Sequence, residues 1–92
     1  MSTPQNDDPV IRQFREQISY TDRAIMDAVN KRLRLVAQVK AYKESRGIDF
    51  LDPARERSML RELVDANSGP LSAEGLRELF TEILDLTKRE VS

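Results

Sequence analysis

Arg32 and Lys43 fall on the apolar seam of one long helical stretch, eleven residues apart. At ~100° per residue they point within ~20° of each other and stand ~16 Å apart along the axis. A cation on a buried stripe is costly unless an anion meets it there. Two cations on one stripe therefore imply a dry pocket for a small, multiply anionic molecule held between long side chains. A third cation, Arg15, precedes Arg32 by seventeen residues, which puts it ~25 Å away and rotated by ~100°. It cannot easily serve the same ligand from the same helix, but it can reach the equivalent site of an antiparallel partner. Further along, Asp52-Pro53-Ala54-Arg55-Glu56 reads as the start of a second helix. Free backbone N–H groups at such a start favour anions and oxygen acceptors. Glu56 adds an acceptor for a ligand hydroxyl, and Arg55 adds a donor.

Each of these residues also has an ordinary explanation. Asp52 is a good N-cap with no further duty. Arg32 can snorkel to solvent, Lys43 can complement a helix C-terminus, and Arg15 and Glu16 can be surface charges. Singly they are weak signals, and their joint spacing is what favours a site.

The composition narrows the chemistry. Ninety-two residues make one small domain, of a size that often gains stability by oligomerising. Fifteen basic residues against sixteen acidic ones leave a net charge of -1, not the basic excess of a nucleic-acid binder. With no Cys and no His, disulfides, thiolate chemistry, Ser-His pairs and most zinc sites are excluded. The polar start MSTPQNDDP is no secretory signal. No apolar run approaches the ~20 residues that span a bilayer. The chain reads as a soluble cytoplasmic protein with no membrane contact.

The elements that must position these residues are helices. Residues 1–7 read as a disordered tail, and 8–92 as the folded domain. Asp8-Pro9 supplies a cap and a first-turn proline. Ile11, Phe14, Ile18, Ile25, Val29, Val36 and Val39 then recur at helical spacing, unbroken until Gly47. A helix from about 9 to 46 would be ~57 Å long. Asp52-Pro53 opens a second helix with Met59, Leu60, Leu63 and Val64 on its apolar face, ended by Ser68-Gly69-Pro70. Ser72 caps a third, carrying Leu76, Leu79, Phe80, Ile83 and Leu84. No strand alternation is visible, so the class is all-α. The two short helices can cover one side of the long one. Ile11, Ile18, Ile25, Arg32 and Val39 recur every seven residues, a coiled-coil-like seam that asks for a partner helix. The expectation is an intertwined homodimer of three-helix protomers.

At these residues the chain resembles the all-α chorismate mutases, over roughly residues 8 to 90. The matching stretches are Phe14-Arg15-Glu16-Gln17-Ile18-Ser19, Lys31-Arg32, Val39-Lys40-Ala41-Tyr42-Lys43 and Asp52-Pro53-Ala54-Arg55-Glu56-Arg57. The resemblance implies an intertwined dimer in which each site borrows Arg15 from the other protomer. Arg15 and Arg32 would bind the two carboxylates of a chorismate-like substrate, and Lys43 would donate to the ether oxygen of the breaking bond. Asp52 and Glu56 would hold the ring hydroxyl end, with Arg55 in support and Thr87 near a carboxylate. Chorismate-to-prephenate conversion is an intramolecular rearrangement needing no nucleophile, metal or cofactor, so a chain without Cys and His suffices.

Two positions depart from the family pattern. Where the family usually places Gln or Glu as a second donor to the ether oxygen, one turn after Thr87, this chain has Val91, with Glu90 beside it. Either Glu90 serves as that donor or none does. Thr21 stands where an aliphatic residue is common. Related activities on the same fold are isochorismate-pyruvate lyase and a mutase of 4-amino-4-deoxychorismate, whose amine would sit well beside Asp52 and Glu56. A helical dimerisation module would explain the seam but not the cations upon it.

Overall fold

The computed structural model describes residues 8–91, so the tail read at residues 1–7 lies outside the described residues. Three helices follow in order: α1 (Pro9–Ser45), α2 (Pro53–Ala66) and α3 (Ala73–Glu90). Among the described residues there is no strand, and no helix is long and apolar enough to cross a membrane.

Each helix begins where its local chemistry directs. The Asp8 carboxylate accepts from the Val10 N–H at 2.8 Å. Asp52 accepts from the Arg55 N–H at 3.1 Å, and Ser72 from the Gly75 N–H at 3.0 Å. These side chains satisfy donors that the first turn of a helix leaves without carbonyl partners. The end of α1 is equally local. Gly47 takes φ +67, the Ile48 N–H returns to the Lys43 carbonyl at 2.9 Å, and the Gly47 N–H reaches Glu44. This is the Schellman arrangement, and it needs a residue at ease with positive φ.

Packing divides the chain within α1: Arg32 closes one unit and Leu33 opens the other. The first unit is helix alone through its described residues. In the second, α2 and α3 are the helix pair that packs closely. Met59, Leu60, Leu63 and Val64 of α2 are half-buried, as are Phe80, Ile83 and Leu84 of α3, around a fully buried Leu76. Burying one such leucine contributes about 1.5–3 kcal/mol. Leu79 departs from the expected face and is exposed. Three residues past Leu76 it is rotated by ~60° to the flank of the stripe, whereas Phe80 and Ile83 stay closer to its centre.

The two short helices pack on each other, and no residue of α1 is fully buried. Phe14, Ile18, Ile25 and Val39, marked for burial by their period, are between 48% and 59% exposed. The 33–45 stretch of α1 reaches the rest of its unit through Lys40, on the Val91 carbonyl, and Lys43, on the Phe50 carbonyl, and its Leu33 and Val36 are half-buried.

Candidate functional site

The second unit gathers most of the residues expected to do chemistry. Lys43 stands on the last turns of α1, half-buried, and its Nζ donates to the Phe50 carbonyl at 3.3 Å. It also lines an open depression of about 410 Å³ with Leu35, Gln38, Val39, Tyr42 and Ile48. An ammonium at the edge of an apolar surface is poorly solvated and is well suited to attract an anionic oxygen. Only one of its three donors is used by Phe50, so two remain for a ligand.

Asp52 is exposed, and its carboxylate is engaged as the N-cap of α2. Glu56, on the first turn of α2, is half-buried and faces Lys88 of α3, with Nζ–O distances of 3.2 and 3.5 Å. The carboxylate is thus held in place between two helices. Arg55 is exposed and lies 3.9 Å from Glu62 along the same helix. That weak, solvated pair leaves the guanidinium free to swing.

At the far end of α3, Thr87 is buried, and its hydroxyl donates to the Ile83 carbonyl at 2.6 Å. To donate to a ligand carboxylate instead, the hydroxyl must give up that bond. Glu90, the last residue of α3, is exposed, while Val91 is half-buried and caps the helix with its N–H on the Thr87 carbonyl. The Val91 carbonyl accepts from Lys40 Nζ at 3.0 Å. Lys40 also lies over the Phe50 ring, 5.6 Å from its centroid.

In the first unit, Arg15 is exposed and Arg32 is half-buried, and each already interacts with a neighbouring group. Thr21, the atypical position near Asp22, turns its hydroxyl onto the Gln17 carbonyl at 2.9 Å. Of all the candidate residues only Thr87 is fully buried.

Two residues in this arrangement were not singled out from the sequence. Lys40 carried a faint signal, because it sits three residues before Lys43 and shares its face. Lys88 carried none, since its partner Glu56 is 32 residues away. Among the described residues no group of acidic side chains is arranged to hold a metal ion.

Comparison with known proteins adds independent observations. A family model described as chorismate mutase type II matches residues 14–91. The chain is 32% identical over 79 residues to the bifunctional chorismate mutase/prephenate dehydratase of Stutzerimonas stutzeri, covering 80% of this chain and 22% of that protein. It is 46% identical over 47 residues to the T-protein of Enterobacter agglomerans, covering 51% of this chain and 13% of that one. The chain therefore spans less than a quarter of the length of these curated relatives. The structure of chorismate mutase form II from Thermus thermophilus superposes with a TM-score of 0.83 at 32% identity, over 86% of this chain and 90% of that one. Form I of the same enzyme gives 0.82, also at 32% identity, over 84% and 96%.

Proposed function

Because the chain belongs to the chorismate mutase type II family, matched across residues 14–91, we propose that it catalyses the rearrangement of chorismate to prephenate as a homodimer with shared sites. The single observation that carries this reading is that match, which takes in every residue assigned to the site. The half-buried Lys43 and the Glu56 carboxylate held by Lys88 support it independently.

The reaction breaks a C–O ether bond and forms a C–C bond within one molecule. Negative charge grows on the ether oxygen in the transition state. The protein's task is to hold the folded, reactive conformer and to meet that charge with fixed donors. In this reading Arg32, with Arg15 of the partner subunit, binds the two carboxylates and sets the conformer. Lys43 donates to the ether oxygen and helps hold a carboxylate. Glu56, kept in place by Lys88, and Asp52 receive the ring hydroxyl, with Arg55 in support. Thr87 lies near a carboxylate. Val91 brings no donor, and Glu90 is the polar neighbour at that end.

Dimerisation has its own support. A helix of 37 residues with an exposed seven-residue apolar period and no buried residue calls for a second helix. Pairing would cover the open depression beside Lys43 and would deliver Arg15. The same reading places the enzyme in the cytoplasm, folded over residues 8–92.

The test is direct. Purified protein is mixed with chorismate, the loss of its ultraviolet absorbance is followed, and the product is identified by NMR. Prephenate is the expected product. No turnover, or release of pyruvate, would reject the mutase reading. Sedimentation should give about twice the 10.6 kDa chain mass, and a fully active monomer would reject the shared site.

A further inference from the structure

We propose that Lys40 is a positioning residue of the site, which seats the C-terminal end of α3 and the loop before α2 beside Lys43; this rests on the mutase reading above. Lys40 and Lys43 share one face of α1 and divide a single task. Lys43 Nζ holds the Phe50 carbonyl at 3.3 Å, while Lys40 lies over the Phe50 ring at 5.6 Å. Phe50 is thereby fixed at both backbone and side chain, two residues before Asp52. The Lys40 ammonium also donates to the Val91 carbonyl at 3.0 Å across 51 residues of sequence.

That carbonyl belongs to the end of α3, where helix carbonyls lack partners and the dipole favours a cation. A charge-assisted bond there holds the last turn against fraying. Thr87, Glu90 and Val91, all on that turn, are the α3 residues placed at the substrate. Lys40 is half-buried, so its ammonium is poorly screened and its loss takes a charged donor from the carbonyl. One side chain thus fixes two flanks of the site without being assigned any contact with substrate.

The experiment uses the full chain. Lys40→Met keeps the aliphatic stem and removes the ammonium, and Lys40→Arg keeps a cation with donors. All are compared at a temperature where circular dichroism shows them equally folded. Lys40→Met should lower kcat roughly tenfold with KM moving less than about threefold, and Lys40→Arg should recover most of the loss. Hydrogen exchange at the Val91 amide, which needs no turnover, should quicken roughly tenfold in Lys40→Met. An active parent whose Lys40→Met variant keeps both kcat and Val91 exchange, and loses only thermal stability, would overturn the proposal. A parent inert toward chorismate would instead reject the mutase reading, leaving the exchange measurement to decide the seating alone.

Discussion

Replacing Val91 with glutamine should make the enzyme faster. Val91 is the half-buried cap of α3, with its N–H on the Thr87 carbonyl at 2.9 Å and its carbonyl on Lys40 at 3.0 Å. Both backbone bonds survive the substitution, so the new side chain starts from a fixed base. Val91 lies one turn beyond Thr87, ~6 Å along the axis and ~40° around it, on nearly the same face. A glutamine amide from that position adds a donor toward the site, whereas Glu90 is exposed. Loss of one preorganised donor to a developing oxyanion typically costs about 100-fold in kcat, so supplying one should gain roughly 10- to 100-fold. The cost in stability is small, because the valine is only partly buried and its replacement exposes less than one full side chain, under about 1 kcal/mol. The assay is the initial rate of chorismate loss at saturating substrate, with Val91→Met as a control of similar length lacking a donor. The gain should appear in kcat with Val91→Gln alone. If Val91→Gln and Val91→Met match the parent within about threefold, the missing-donor account is wrong. If Glu90→Gln accelerates the enzyme and Val91→Gln does not, Glu90 occupies the donor position.

Two further outcomes follow from the arrangement of charges. Arg15→Ala and Arg32→Ala should each be nearly inactive, because each leaves a substrate carboxylate unpaired. Mixed and allowed to exchange subunits, they should regain about a quarter of parental activity, since random pairing gives half heterodimers with one intact site each. No recovery, with exchange verified by mass, would place both residues in one protomer's site. Lys88→Ala should cost under about 1 kcal/mol of stability, as befits a largely solvated ion pair. It should nevertheless lower kcat/KM by releasing Glu56, and added salt should narrow the gap to the parent. Unchanged kinetics at low salt would show that Glu56 needs no anchor.

What the sequence disclosed, and what it withheld, separates by range. Asp8, Asp52 and Ser72 were legible as caps because a cap bonds an N–H two or three residues away. The turn at Gly47 was legible for the same reason. The period of α1 identified which residues seek burial, yet it did not say what would bury them. Close packing of α2 and α3 on each other is a matter of tertiary structure that the period of α1 does not encode. Contacts of Lys40 with Val91 and of Lys88 with Glu56 depend on how α3 returns toward the earlier helices, and no local pattern encodes a spacing of 51 or 32 residues. The ordered set from Arg15 to Glu56 was recognisable because α1 and the start of α2 keep it in a fixed register. The α3 end was harder, since only Thr87 there resembles the expected type.

The near absence of an interior in one chain has a consequence for how the protein responds to dilution. Among the described residues only Leu76 and Thr87 are fully buried, so one chain encloses little of its apolar surface completely, and a small core is a modest counterweight to conformational entropy. If the chain pairs as proposed, its folding and association are coupled by mass action. The melting temperature should climb with the logarithm of protein concentration, and substrate should raise it further by binding only the assembled form. For such a dimer, halving the number of chains at low concentration removes more than half of the folded sites.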